Sequence, residues 1–484
     1  MAITAGGSLN SVAAPIQQTL ASNYIDFTGG TADWNQQYLP DLMEKEAEVF
    51  GKRTVSGFLA QVGAEEPMAS DQVVWSEQGR LHLSYLVTTG STGTTVTVTK
   101  DADGNTPGTD VYTTKDHGIR LGDMLLLADA DKTLTAWVSG VNSTTGVVTV
   151  KTYASTQMVS GGIADGASVN CLVIGSEYIK GTTGRANTNM PKFQSFDNKP
   201  IIIKDKYDIS GSDASAIGWV EVSGEDGQTG YLWYLKAEGD TRSRFADYLE
   251  MAMIESDKAT GSQLNSQTIG GQTGNVTGTE GLFAAVESRG NMSSGVTGVN
   301  AATDLAEFDA ILAEFDKQGS IEENMLFVNR ATALAMDDML ASMNSYGAGG
   351  TSYGVFSNSE SMALNLGFSG FRRGSYDFYK SDWKYLNDRA TRGLINDRNT
   401  SGAIRGVFVP AGVSTVYDQN LGKNLKRPFL HVRYRASNTE SRKFKSWITG
   451  SVGAVTSDLD AMEVHYLSER CLVTQGANNF MLLN

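Results

Sequence analysis

Ser352 lies in GTSYG (Gly350–Gly354), the G-x-S-x-G spacing that raises a nucleophilic serine on a strained strand-to-helix turn in many hydrolases. That chemistry needs an apolar strand before the serine and a helix after it. Here SMNSYGAGG precedes and VFSNSES follows, so the match reads as chance in a chain with 53 glycines. SDWK (Ser381–Lys384) has the S-x-x-K spacing of penicillin-binding enzymes, but neither companion motif, S-D-N or K-T-G, occurs. Acidic clusters are the next candidates. DADGN (Asp101–Asn105) and DADK (Asp129–Lys132) bring carboxylates together as calcium loops do. Both lack the third oxygen position and the closing Glu of an EF-hand, and they read as ordinary turns.

His82, His117, His431 and His465 lie far apart, with no HExxH or CxxC spacing to write a metal centre locally. There is no P-loop, and the glycines of 270–281 lack a strand–helix context. Glu65–Glu66 and Glu322–Glu323 read as exposed loop and cap acids. No catalytic, cofactor-binding or metal site is expected, and no cofactor.

The elements that would position such groups point elsewhere. The 484 residues hold about three average domains, or one domain with large insertions, and 40% apolar residues suffice for a core. The net charge of −15 argues against gripping phosphates, which calls for a basic stripe. The nearest such run, LKRPFLHVRYR (Leu425–Arg435), alternates like one charged strand face, suited to solvation or a subunit contact. Cys171 and Cys471 make no disulfide framework, which fits a reduced, intracellular folding environment. The N-terminal MAITAGGSLNSVAAP has no signal-peptide pattern, and no apolar run nears the ~18 residues of a membrane span, so a soluble protein is expected.

Residues 1–40 are small and polar with Trp34, Tyr38 and Leu39 as isolated anchors, an arm that must lie on something else; PDLMEKEAEVFGKRT then starts a helix at Pro40. QVVWSEQGRLHLSYLVTT alternates as a strand with a turn near Gly79, and NKPIIIKDKYDIS (Asn198–Ser210) gives a second strand. The two read as a long antiparallel arm. Between them Thr94–Thr99, Met124–Leu127, Thr135–Val141, Val147–Thr152 and Val169–Ile174 form short strands of a compact all-β, barrel-like insert. Thr229–Ser256 is the longest predicted helix, with a possible kink at Gly239, and about forty Gly/Ser/Thr-rich residues after it read as loop. TDLAEFDAILAEFDKQG is a helix capped by Asp304 with Glu307 and stopped by Gly319. NMLFVNR is a buried strand leading into the helix RATALAMDDMLASMN, and MEVHYLSERCLVTQG is a late strand.

This order of parts resembles the HK97-like major capsid proteins of tailed bacteriophages, and LPDLMEKEAEVFGKRTVSGFLAQVGAEEPMASDQVVWSEQGRLHLSY is also similar to capsid proteins of crAss-like phages. The resemblance implies an α+β fold with an N-terminal arm (1–60) and an E-loop region (61–226) carrying an all-β insertion at about 88–185. A P-domain with spine helix and Gly-rich loop (227–302), an α/β A-domain (303–450) and closing P-domain strands (451–484) would follow. It implies no enzyme. The expected role is self-assembly into hexamers and pentamers around double-stranded DNA, with portal and auxiliary or decoration proteins as further partners and no membrane. The expected location is the virion, after assembly in the host bacterial cytoplasm. Trp34, Tyr38, Trp75, Glu77, Arg80, His82 and Tyr85 would face neighbouring subunits. The insert departs from the minimal family pattern. The alternative of another class is a β-rich surface adhesin or virion fibre or decoration protein.

Overall fold

The computed structural model describes residues 64–78, 84–101, 104, 106, 117–142, 144–185, 193–212, 221–223, 229–318, 321–344, 370–389, 391–395, 397–398, 402–411, 413–418, 423–451 and 455–484. In chain order the strands begin with β1 (Ala64–Met68) and β2 (Val73–Gln78). Six more follow: β3 (Ser84–Thr89), β4 (Thr95–Asp101), β5 (Asp123–Ala128), β6 (Thr133–Asn142), β7 (Val147–Thr152) and β8 (Ser168–Ser176). Then come β9 (Phe193–Asn198), β10 (Ile201–Ser210), the pair β11 (Glu221–Ser223) and β12 (Thr229–Tyr231), and the long helix α1 (Leu232–Glu255). A small hairpin, β13 (Gln267–Ile269) and β14 (Gln272–Gly274), leads to α2 (Leu282–Arg289), β15 (Asn291–Ser293), α3 (Ala301–Gln318), β16 (Glu323–Val328) and α4 (Arg330–Asn344). The rest comprises β17 (Gly370–Arg373), β18 (Tyr376–Asp382), the single turn α5 (Lys384–Asn387), β19 (Asp397–Arg398), β20 (Gly402–Ala403) and β21 (Gly406–Pro410). It ends with β22 (Val413–Asp418), β23 (Lys423–Pro428), β24 (Leu430–Arg435), β25 (Lys445–Gly450), β26 (Ala461–Thr474) and β27 (Met481–Leu483).

Two compact units divide these elements, Trp75–Phe196 and the remainder. The first holds a closed antiparallel barrel in the order β3-β4-β7-β6-β5-β8, with β8 returning to β3 through Tyr85 opposite Cys171 and Val87 opposite Val169. Alternate residues fill its interior: Val96 and Val98, Leu125 and Leu127, Leu134, Ala136 and Val138, Val148 and Val150. A strand's period of two makes that possible, and a small barrel has room inside only for those side chains. Gly146 takes φ +71° in the β6–β7 turn, where the Asn142 side chain accepts the Thr144 and Thr145 amides. The barrel-like expectation holds: its strands run from Ser84 to Ser176, with Ser84–Thr89 as the first, because β3 must stand beside β8 to close the ring.

The remainder, described by itself, contains, among the described residues, four two-stranded sheets and two large ones. In one, the 14-residue β26 is the shared centre: β10 runs antiparallel along one edge, while β24 and β25 take successive stretches of the other. β1 adds outside β24 in parallel. Phe245 and Leu249 of α1 lie on Val464 and Tyr466 of this sheet. The other sheet, β15-β27-β21-β16-β18-β17, is mixed and buried on both faces. Leu326, Val328, Phe408 and Met481 point to α3 and α4, where Phe308 meets Phe371, Phe378 and Phe408 at 5.2–6.5 Å. Phe327, Val407, Val409 and Leu482 point the other way, to α1, α2 and Trp383.

Several expectations are corrected here. β2 pairs with β9, whereas β10 pairs with β26, so VVWSEQ and IIIKDKYDIS are not arms of one hairpin. Alternation fixes which face a strand buries but not its partner. The stretch after α1 is not all loop, since GLFAAVESRG contains the buried helix α2. α1 runs on through Gly239. α3 begins at Ala301 and its first turn is held by Asn300, whose side chain accepts the Thr303 amide at 2.9 Å. Asp304 instead accepts the Gly298 amide at 2.9 Å and Glu307 the Thr297 amide at 3.1 Å. Leu430–Gly450 supplies strands to the β26 sheet, and β27 belongs to the other. The arm over 1–60 lies outside the described residues.

Candidate functional site

The groups that could do chemistry are mostly turned inward. Cys171 faces the barrel interior and Cys471 lies within β26; burial pushes both thiols up to about 12, so neither is a thiolate at neutral pH. His117 is buried edge-on to Tyr85 at 6.3 Å, and His431 is buried in β24. His465 is stacked on Trp447 at 5.1 Å with Nε2 2.7 Å from Thr449 Oγ1. Among the described residues, no group of three or more His, Cys, Asp and Glu could hold a metal ion. Asp129–Lys132 is a turn closed by the Asp129 amide donating to the Lys132 carbonyl at 2.8 Å. Ser352 and His82 lie outside the described residues. Among those residues no helix is long and apolar enough to cross a membrane.

Of the residues expected to face a neighbouring copy, Trp34, Tyr38, Arg80 and His82 also lie outside the described residues. Trp75 and Tyr85 are 8% and 5% exposed, so neither offers a free contact surface. The Trp75 indole N–H donates to Glu77 Oε1 at 2.9 Å, and its ring lies 6.1 Å from Phe196. The Tyr85 hydroxyl accepts the Gly118 amide at 2.8 Å inside the barrel, and burial pushes the phenol up to about 12. The resemblance implied a subunit contact for Trp75, Glu77 and Tyr85; within this chain Trp75 packs on Phe196 and Tyr85 faces the barrel interior.

Two polar constructions emerge that no motif announced. Asn198, fully buried at the end of β9, donates to the Glu280 and Leu472 carbonyls at 3.0 and 2.7 Å. Its carbonyl accepts the Lys199 and Glu280 amides at 2.9 Å each and the Thr279 hydroxyl at 3.2 Å. Beside it Asp197 accepts from Lys258 at 2.7 Å and Gln72 at 2.9 Å, and the Lys258 ammonium holds its carboxyl below the usual range. One asparagine thus pins the end of β9, β26 and the loop before α2.

The second construction lies on the β1–β24–β26 sheet. Glu66 pairs with Arg433 at 2.8 Å; Glu65 meets Lys443 and lies 3.8 Å from Arg470. Arg435 pairs with Asp71 and lies 3.5 Å from Glu469, which Arg442 also meets at 2.8 Å. The charged face of LHVRYR and the acids of β1 therefore pair largely within the chain; Glu65 is exposed as expected, but it and Glu66 lie in a strand, not a loop or cap. Arg470, buried and depressed by desolvation, donates to the Lys443 carbonyl at 2.8 Å and the Ser468 hydroxyl at 2.9 Å. Exposed pairs of this kind contribute little singly, whereas the buried arginine needs all its acceptors. Sequence spacing could not reveal either construction, since their members lie up to several hundred residues apart.

What stays open is surface. Beside α1 a cleft of about 490 Å³ is lined by Phe444, Trp447, Ile448 and Tyr466 from the sheet and by Glu238 and Arg242 from the helix. Arg242 lies over the Phe444 ring at 5.7 Å. Such a wall fits an apolar side chain or an extended segment better than it fits a reacting substrate.

No family model matches the chain, and no curated protein matches it. It is similar to a solved chain titled "Mycobacterium phage Ogopogo", with 10% identity over 94% of this chain and 99% of that one, at a TM-score of 0.41. A chain of "Capsid of native GTA particle computed with C5 symmetry" gives 11% identity, 93% and 96% coverage and a TM-score of 0.37. A chain of "Asymmetric unit of bacteriophage PhiM1 mature capsid" gives 9% identity, 64% and 79% coverage and a TM-score of 0.33.

Proposed function

We propose that this chain is an HK97-like major capsid protein, many copies of which close into the hexamers and pentamers of an icosahedral phage head around double-stranded DNA. One observation carries the reading: the order of parts along nearly the whole sequence, from small polar arm through strands interrupted by an all-β insert, long helix and strand-into-helix unit to a late strand, is the order of that family. The description of α1 across a sheet centred on β26, with β16 running into α4, is compatible with that order. Residues 1–60 are proposed as the arm, 61–226 as the E-loop region with its insertion, 227–302 and 451–484 as P-domain and 303–450 as A-domain. The role is structural, with no cofactor and no chemistry at Ser352. Individual contacts are modest and a closed shell sums them. The negative charge suits a container, because tight phosphate contacts would hinder movement of the packaged DNA. Portal and auxiliary or decoration proteins are the further partners, and the virion is the location. The narrower likeness to crAss-like phages rests on residues 39–85 alone. A β-rich adhesin would account for the barrel but not for α1, α3 and α4.

Negative-stain microscopy of the purified full-length chain tests the reading, with capsomers or shells as the expected result. A chain that stays monomeric under every assembly condition and is missing from purified virions would overturn it.

A further inference from the structure

The loop from β15 to α3 holds one residue against its own preference. Among the described residues, only Ser266 and Val296 take a positive φ without being glycine, +55° and +56°. Ser266 is small and exposed. Val296 is fully buried, and a left-handed backbone drives its branched Cβ against the following carbonyl oxygen. It plugs the cluster that contains Phe308 and Ile311, while Thr297, Gly298 and Val299 after it are exposed.

The loop is tied down from two sides. Arg405, just before β21, donates to the Ser294, Gly295 and Val296 carbonyls at 2.9, 2.7 and 2.6 Å. The same guanidinium reaches the Asn484 carbonyl at 2.9 and 3.1 Å. From α3, Glu307 and Asp304 accept the Thr297 and Gly298 amides. A left-handed valine persists only where its surroundings over-determine it, and such strain gathers in clamps and switch segments.

We infer that β15 and residues 294–298 form a strap with two positions, closed by Arg405 and driven toward opening by the strain at Val296. On opening, Val296 leaves the core, relaxes to a negative φ and frees the Arg405 side chain. The release also unzips β15, whose three residues pair with β27 alone among the described strands. β27 then becomes the edge of its sheet. The strap is a local opening unit in a sheet that otherwise stays folded, and it stands apart from the assembly reading.

Hydrogen exchange on the full-length chain tests it, read at the Gly295, Thr297, Gly298 and Asn484 amides against those of β16. The Asn484 amide belongs with the strap because it donates to the Ser293 carbonyl at 3.0 Å. Arg405→Lys keeps the charge but loses the fork that spans several carbonyls. It should speed exchange at these four amides by at least about tenfold and leave β16 as in the wild type. Val296→Ala and Val296→Gly separate strain from packing, since both remove the branch and only Ala keeps a Cβ in the left-handed region. The strap should open less often with Gly than with Ala, the reverse of the usual order. Ala the better protected of the two, Arg405→Lys exchanging like the wild type, or β16 loosened to the same extent would each overturn the inference.

Discussion

The barrel and the body of the chain bury alternating strands by the same physics but gather them over very different distances. In the barrel the farthest pairing joins β3 to β8, Val87 opposite Val169. In the body, Ala64 pairs with His431, Ile201 with Arg470 and Asn291 with Met481. Closing a longer loop adds only about 0.6 kcal/mol per doubling, so distance barely alters the final stability. It does alter speed, since distant pairings must be found before they reward the chain. The lesson is that the insert is a fold in its own right, with a core that shares no residue with the body's three clusters.

The sharpest way to break that contrast is to cut a cavity in each core. Phe308→Ala, which removes a fully buried ring from the α3 cluster, should cost about 3–5 kcal/mol, and Leu125→Ala in the barrel about 2–5 kcal/mol. In denaturant melts followed by hydrogen exchange, each should move the protection of its own unit and leave the other in place. A single transition displaced equally by both variants would abolish the distinction. Next in size is Asn198→Ala, which orphans the buried partners of one side chain and should cost about 2 kcal/mol. Its loss should appear in the body's exchange rates, and barrel amides that lose protection to the same extent would refute the placing of this hub.

The smallest effect concerns pH. Asp197 is held below its ordinary range by Lys258, so the pair stabilises the folded chain above the ordinary carboxylate range and ceases to as pH falls through the folded value. Both side chains are about one-third exposed, which limits the contribution to under about 1 kcal/mol. Asp197→Asn should therefore lower the melting temperature slightly at neutral pH and converge with the wild type in acid. A gap that widens toward low pH would show the sign to be wrong.

The barrel was legible because each strand carries its own alternation and each turn its own Gly, Asn or Asp, so Val147–Thr152 agrees with its predicted bounds residue for residue. β10 was legible as a strand, yet its partner was not, because IIIKDKYDIS buries alternate residues whichever strand lies beside it. α2 was hidden by its flanking glycines, which look like loop residues. They are close-packing points: a Cβ on Gly281 or Gly290 would come within 3 Å of backbone carbonyls. Contacts within the chain were not legible either, for a side chain such as Tyr85 that looks ready for a partner in one dimension already accepts the Gly118 amide.

The central position of β26 also sets a timetable on the ribosome. The whole barrel leaves the exit tunnel before β24, β25 and β26 are translated, and so it can finish folding while the body's β10 edge still lacks its neighbour. At about 5–20 residues per second that wait is on the order of tens of seconds. Lys204, Lys206 and Asp208 stand exposed along β10, charges of the kind that keep an unpaired edge strand from joining another.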